Sequence, residues 1–181
     1  MQSPRALLTL HAVLSVYVVS ACGAAAPAMS RTEPPTASDD LAAARTAINT
    51  VLDDWHAAAA ASDEERYFAH LTDDAVLLGT DATERWLPAA FRAYAHAPFA
   101  AQRGWNFRSI RRDVTVRYDV AWFDEDLDAT NLGPCRGSGV LVRDASGRWK
   151  IAQYNLAITV PNERFDEVRS LLRAPATPPT E

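Results

Sequence analysis

The first half of the chain repeats apolar residues at the three-and-four spacing typical of amphipathic helices. A long first helix is predicted after a cap at Ser38, since two acidic residues in its first turn favour the positive end of the helix dipole. A short second helix is predicted from Ser62, which forms a capping-box pattern with Glu65. A third helix is predicted from Pro88 to Pro98. Helices therefore dominate the first half of the predicted fold.

The second half changes to a two-residue alternation of apolar and polar positions, which is typical of half-buried strands. A short strand, "AVLLGT", precedes the third helix, and a last helix is predicted from Pro161. Four further strands are predicted at residues 105–119, 120–128, 135–144 and 148–160. Helices first and strands later predict a single α+β domain, with an antiparallel sheet curved around the helices. The concave side of such a sheet leaves a natural ligand cavity.

An apolar run at the N-terminus ends at Cys22. Arg5 is the only charged residue before that cysteine, and the run is shorter than the roughly 20 residues a membrane-spanning helix needs. A basic start, an apolar middle and small residues at the end predict a signal peptide at residues 1–21. The alternative, an uncleaved membrane anchor, is disfavoured because no basic cluster follows the run.

The residues just before Cys22 suggest a role for its thiol. "VSAC", from Val19 to Cys22, resembles the lipobox of bacterial lipoproteins. The resemblance implies that Cys22 becomes the first mature residue and carries a diacylglyceryl group and an acyl chain such as palmitate, which together form a durable anchor. It therefore implies a lipid-anchored protein of the bacterial cell envelope, and Gly23 in place of Asp favours the periplasmic face of the outer membrane.

Composition limits the partners and the domain boundaries. The chain has 181 residues and a formal net charge of −5, with its basic residues spread out, so no nucleic-acid footprint is present. Residues 22–37 and 174–181 are rich in Ala, Pro, Ser and Thr, which predicts a disordered tether and tail around one domain at residues 38–173. Cys135 is predicted to be a small buried hydrophobe rather than a reactive thiol.

Five stretches carry a resemblance in the body of the chain. "GTDATERW", "GWNF", "AWFDE", "RGSGVL" and "GRWKIAQYN", in that order, are similar to the SnoaL-like branch of the nuclear transport factor 2-like superfamily, across residues 39–162. The resemblance implies a cone-shaped, cystatin-like α+β barrel with a pocket, often dimeric through the outer sheet face. The superfamily includes ketosteroid isomerases, polyketide cyclases, dehydratases and members that only bind or scaffold, so the fold does not decide the function.

Strand alternation and aromatic residues suggest a pocket. If Arg143 and Lys150 face solvent, alternate residues of their strands face inward, while Trp122 and Asp124 share one face of the preceding strand. Several Trp and Tyr residues could surround a flat or apolar ligand, although aromatic residues at core spacing also form ordinary cores. The candidate pocket residues are Trp55, Tyr67, Trp86, Trp105, Trp122, Arg136, Ser138, Gln153 and Asn155.

Asp124 is the candidate catalytic residue. Near Arg136 it could act as a base with a pKa held down by the guanidinium, or form a structural ion pair, and both interpretations stay open. A calcium loop starting at Asp124 would need Gly and Glu where the chain has Ala129 and Cys135, and the histidines lack zinc-binding spacing. No metal or cofactor is expected.

Three functions remain open. The favoured one is an envelope lipoprotein whose pocket binds an unidentified small apolar or aromatic molecule without turning it over, because no acid–base set is recognised. The second is an acid–base isomerase or cyclase of the ketosteroid isomerase or polyketide cyclase kind, with Asp124 as the base. The third is a scaffold, a homodimer that would expose Tyr154, Leu156 and Ile158 on the outer sheet face.

Overall fold

The computed structural model describes residues 37–173, so the predicted signal peptide, Cys22, the predicted tail and all of the predicted tether except Ala37 lie outside the described residues. None of the helices in residues 37–173 is long and apolar enough to cross a membrane. The helices are α1 Ala37–Ala60, α2 Glu64–Ala69, α3 Pro88–Ala100 and α4 Phe165–Arg173, with a 3-10 turn at Asn162–Arg164. The strands are β1 Leu71–Leu78, β2 Arg85–Trp86, β3 Phe107–Arg117, β4 Val120–Ala129, β5 Gly133–Arg143 and β6 Trp149–Ile158.

The strands form one six-stranded sheet in the order β2-β1-β6-β5-β4-β3. The α+β class and the curved sheet with packed helices are confirmed. The sheet is open rather than a closed barrel. It is also mixed, because β1 runs parallel to β6 while the other neighbouring pairs are antiparallel.

The core lies between α1 and the inner face of the sheet. Ile48 and Leu52 of α1 are fully buried and pack in the same apolar cluster as Phe123, Leu141 and Ile151 of the sheet. Each large apolar side chain buried in this way stabilises the fold by about 1.5–3 kcal/mol. The apolar residues whose three-and-four spacing predicted α1 therefore form the helix face that packs on the sheet.

Helix α3 continues past the proline predicted to end it, so that expected boundary is wrong. Pro98 lies inside the helix, which runs to Ala100. A proline within a helix costs about 3 kcal/mol through the lost hydrogen bond and a ring clash. Phe99, the next residue, is only 2% exposed. Burial of its ring offsets much of that cost and keeps the last turn helical.

The helix starts also differ from the predicted caps. Helix α1 begins at Ala37, so Ser38 lies inside its first turn. Helix α2 is capped by Asp63, whose carboxylate accepts a hydrogen bond from the Arg66 backbone N–H at 3.1 Å. Ser62 instead adopts a positive φ of 55° and accepts a hydrogen bond from the Gly104 N–H at 3.0 Å. Its hydroxyl therefore joins the end of α1 to the segment before β3.

Candidate functional site

A cavity of about 290 Å³ opens between the helices and the inner face of the sheet. Its wall is mostly apolar, with many aromatic residues, and its polar residues besides the tyrosines are His56, Thr80, Glu84 and Asn131. Four of the predicted pocket residues line it: Trp55, Tyr67, Trp86 and Trp105. A concave, mainly apolar space with few polar groups has the character of a small-molecule site.

The aromatic rings of the wall contact one another in a continuous series. Tyr67 stacks on Trp55 with 5.0 Å between ring centroids, and Phe91 stacks on Trp105 at 5.5 Å. Full burial raises the pKa of the Tyr67 hydroxyl well above its ordinary value, so this phenol stays neutral. Ring packing thus connects the residues of the wall, and Tyr67 adds no charge to it.

His56 places an imidazole in this aromatic wall. It follows Trp55 on the buried side of α1 and is only 7% exposed. Its Nε2 atom lies 2.7 Å from the Glu125 Oε1 atom. A buried imidazole beside a carboxylate has one nitrogen committed to that carboxylate, which leaves the other for a different partner.

Glu125 is a fully buried carboxylate on the inner face of β4. Its cross-strand partner Arg112 on β3 donates from Nε to Oε2 at 2.8 Å. Burial is the largest influence on the Glu125 pKa and raises it, but the His56 hydrogen bond together with attraction to His56 and Arg112 outweighs burial, so the pKa lies below its ordinary value. The carboxylate is therefore ionised in the folded protein at neutral pH.

Arg112 is itself held from the other side. Its side chain is 7% exposed, and its Nη1 atom donates to Asp53 at 2.7 Å and to the Asn49 side-chain oxygen at 3.3 Å. Both partners belong to α1. The buried polar cluster of His56, Glu125 and Arg112 thus joins α1 to β3 and β4 beside the cavity.

Gly137 makes room for this cluster. A Cβ atom at this position would lie 2.6 Å from the Tyr154 hydroxyl and 2.9 Å from the Glu125 Oε1 atom. The Tyr154 hydroxyl is buried and has no hydrogen-bond partner within residues 37–173. Burial, followed by the nearby Glu125 charge, raises the Tyr154 pKa. Tyr154 therefore contributes a neutral ring to the cavity wall, with its hydroxyl toward Gly137.

The other predicted pocket residues and the candidate base Asp124 lie on the outer face of the sheet, so the expectation that they point inward is wrong. None of them lines the cavity. On β4, exposed or half-buried residues alternate with the buried residues of the inner face. The same alternation occurs on β5, whose outer residues pair with outer residues of β4 and β6. The outward residues are Trp122, Asp124, Arg136, Ser138, Gln153 and Asn155.

Two local features invert the predicted alternation. In β6, Gln153 pairs with Val140 but Ile151 pairs with Leu141, so Ala152 is an extra residue in a bulge. The bulge turns Tyr154 inward and Gln153 outward, whereas strict alternation predicts the reverse.

In β5 the misleading residue is Arg143. It belongs to the inward row with Leu141, but it lies at the strand end with its guanidinium 5.0 Å over the Trp149 ring. An arginine at the end of a strand can reach solvent from either face, because its long apolar stem covers neighbouring side chains. The exposure of Arg143 therefore does not show which face of β5 points toward solvent.

Asp124 and Arg136 do not pair with each other. Arg136 lies 3.4 Å from Asp126, and Asp124 lies 3.4 Å from Arg111. The Asp124 side chain is 49% exposed. The expectation that Asp124 faces the cavity as a base is therefore wrong.

The surface predicted for a scaffold is also different. Tyr154 is 5% exposed and faces inward, and Leu156 lines the cavity, while Ile158 is 49% exposed at the end of β6. The outer face instead exposes Trp122 and Val120. The homodimer stays a prediction.

The remaining site predictions concern cysteine and metals. Cys135 is buried at 2% exposure, which confirms its predicted character as a small buried hydrophobe. Within residues 37–173, no three His, Cys, Asp or Glu side chains are grouped to hold a metal ion.

The sequence contains a signal for this cluster that the alternation of apolar and polar positions does not reveal by itself. Glu125 occupies an apolar phase of β4, between Phe123 and Leu127, and His56 follows a tryptophan on the apolar face of α1. A charged residue in a buried row requires a partner. Arg112, the cross-strand partner, becomes evident only once the β3–β4 register is known.

Solved structures with the same architecture define the class. A nuclear transport factor 2-like protein of unknown function from Pseudomonas putida aligns with a TM-score of 0.59 at 17% identity, covering 67% of this chain and 91% of that one. A protein of unknown function from Mycobacterium tuberculosis aligns at 0.62 and 18% identity, covering 71% and 79%. A proposed scytalone dehydratase from Novosphingobium aromaticivorans aligns at 0.59 and 15% identity, covering 68% and 89%. The fold is nuclear transport factor 2-like.

The family follows from the sequence match. The model of the SnoaL-like domain matches residues 48–161, which is more than half of the chain. The chain therefore belongs to the SnoaL-like family. No curated protein matches it.

Proposed function

We propose that the protein binds a small, largely apolar or aromatic molecule in the cavity. The observation that carries this proposal is the cavity of about 290 Å³ with its mainly apolar wall, in which eight of the eighteen lining residues are Trp, Tyr or Phe. Small-molecule pockets begin at about 300 Å³, so the space suits a molecule of one or two rings. Aromatic side chains contact such rings over a large area and in preferred stacked or edge geometries.

The first experiment records the mass of the natively purified protein before and after denaturation. A discrete small mass that is lost on denaturation is the expected result. Leu132, which lines the cavity and is 37% exposed, offers a blocking variant, Leu132→Trp. Leu172→Trp, at an 81% exposed position in α4, is the matched control. No extra mass in the wild type, or equal retention by Leu132→Trp, would contradict binding in this cavity.

Acid–base catalysis on the bound molecule is a second candidate function. It is favoured by one observation, the 2.7 Å contact between His56 in the cavity wall and the buried Glu125. His56 would take a proton from the substrate and return it at another position, while Glu125 stabilises the transient imidazolium. These residues replace Asp124 in the role predicted from the sequence.

This candidate is tested by proton exchange on a simple ketone. We expect the wild type to accelerate exchange of the α-hydrogens of 2-tetralone in D₂O, measured by NMR, and His56→Gln to abolish the acceleration. Asp124→Asn, on the outer face, should leave the rate unchanged. Absence of acceleration by the wild type, or equal acceleration by His56→Gln, would argue against this mechanism.

The location is proposed from the sequence alone. The lipobox-like "VSAC" supports lipidation of Cys22 and anchoring in a bacterial cell envelope, with the outer membrane favoured by Gly23. Cys22→Ser is expected to move the protein from the membrane fraction to the soluble fraction. Cys135→Ser, at the buried cysteine, is the matched control and should stay with the membrane. Unchanged sedimentation of Cys22→Ser would contradict the anchor.

A further inference from the structure

We propose that the cavity presents the unprotonated Nδ1 atom of His56 as a hydrogen-bond acceptor, and that its ligand is a hydroxyl compound, a phenol or an alcohol. This inference rests on the proposed ligand binding. It is carried by the contacts of the buried cluster, since His56 lines the cavity and its Nε2 atom is committed to Glu125.

The proposed tautomer of His56 is the one that fits an ionised Glu125 carboxylate. The Glu125 side chain is 0% exposed and lies 2.8 Å from the Arg112 guanidinium, which favours the ionised carboxylate. An ionised carboxylate only accepts hydrogen bonds. In the neutral form of the imidazole, the 2.7 Å contact therefore places the proton on Nε2 and leaves the lone pair on Nδ1.

The cluster holds this arrangement rigidly. Arg112 is restrained by Asp53 and Asn49 of α1. On the other side, the missing side chain of Gly137 lets Glu125 Oε1 lie close to the β5 backbone, since a Cβ atom there would be only 2.9 Å away. A carboxylate held by Arg112 keeps the imidazole that it contacts in one orientation and one tautomer.

The free nitrogen determines which ligand group suits the wall. Within residues 37–173, Nδ1 of His56 has no hydrogen-bond partner. A ligand donor is therefore needed to satisfy it once water is displaced. In an apolar cavity a neutral hydroxyl group is less costly to desolvate than an ammonium group.

The tautomer is measured directly in the ligand-free protein. The ¹⁵N shifts of the imidazole nitrogens at neutral pH, assigned by their loss in His56→Gln, are expected to show a protonated Nε2 and an unprotonated Nδ1. A proton on Nδ1, with or without one on Nε2, would overturn the inference.

The ligand class is measured with a matched pair of probes, 2-naphthol and 2-methoxynaphthalene, which differ in whether the oxygen can donate. We expect the naphthol to bind about tenfold more tightly, because the ether cannot donate a hydrogen bond to Nδ1 of His56. Glu125→Gln should reduce or reverse this preference, since an amide can donate to Nε2 and move the imidazole proton to Nδ1. Asp126→Asn, on the outer face of the same strand, should keep it.

The outcomes separate this inference from the proposed function. Equal affinity for the two probes would overturn the hydroxyl preference while supporting the cavity as a binding site. If neither probe binds although the Nε2–H tautomer is observed, the proposed binding function and the hydroxyl preference both fall. A tenfold preference that survives in Glu125→Gln would show that Glu125 does not set the acceptor, which also overturns the inference.

Discussion

Neighbouring carboxylates on β4 have opposite environments. Glu125 points inward, is 0% exposed and contacts His56 and Arg112. Asp126, the next residue, points outward and contacts Arg111 and Arg136 on the exposed face of the sheet. Both carboxylates have arginine partners, and both have a lowered pKa. The difference is burial, because an exposed ion pair is solvated in either state whereas a buried charge depends on its partners.

The two environments also suit the two carboxylates to different roles. The inner cluster lies beside a cavity, while the outer row of alternating charges lies on a solvated sheet face. A carboxylate beside a cavity can orient a group that meets a ligand, but a carboxylate in a surface network mainly affects solubility and register. For this reason the candidate site moves from Asp124 to its neighbour Glu125.

The strongest test of this contrast removes the inner charge. Glu125→Gln is expected to lower the free energy of unfolding by about 3–5 kcal/mol, because it takes away the buried counter-charge of Arg112 and leaves only the exposed Asp53 as its ionic partner. Urea denaturation measures the loss. The double variant Glu125→Gln with Arg112→Met should recover part of it, since the uncompensated charge is then gone. A loss below about 1 kcal/mol would mean that the buried Glu125–Arg112 pair contributes no more stability than an exposed ion pair.

A second test crowds the inner cluster without changing its charge. Gly137→Ala is expected to cost about 1–3 kcal/mol, because the new methyl group would meet the Tyr154 hydroxyl at 2.6 Å and the Glu125 carboxylate at 2.9 Å. Thermal or urea unfolding gives the value. Ser138→Ala, the next residue on the outer face, should stay within about 0.5 kcal/mol. Equal effects of the two variants would contradict the tight inner packing.

The pH dependence of stability should report the Glu125 charge. Its pKa is lowered on folding, so its stabilisation is present above the unfolded value of about 4.3 and is lost as pH falls through the folded value. The stability difference between the wild type and Glu125→Gln should therefore shrink below about pH 4. Unfolding in urea at a series of pH values measures it. A difference that stays constant down to pH 3 would show that the carboxylate does not titrate differently in the folded state.

The smallest effect is expected on the outer face. Asp126→Asn should change stability little at low salt and not measurably at high salt, because exposed ion pairs are screened by solvent and ions. Denaturation at two salt concentrations checks this. A large, salt-independent loss would mean that the two faces of β4 do not differ as proposed.

Much of the fold was predictable because it depends on local periodicity. The three-and-four spacing predicted α1, and the two-residue alternation predicted the four long strands. Four of the five predicted pocket aromatics, Trp55, Tyr67, Trp86 and Trp105, were also predictable, because large apolar rings are usually buried. The fifth, Trp122, is 47% exposed on the outer face. The sequence did not show equally well on which face of the sheet the polar residues of β4, β5 and β6 lie.

The sequence by itself determined the helices, the strands and the family, because these depend on residue spacing and on motifs read along the chain. Only the tertiary structure decided which face of each strand is inside. One extra residue, Ala152, reversed the orientation of the rest of β6, and the register placed Arg112 opposite Glu125. A one-residue shift exchanges the two faces of a strand at little local cost, so the choice is made by packing against distant residues such as His56 on α1.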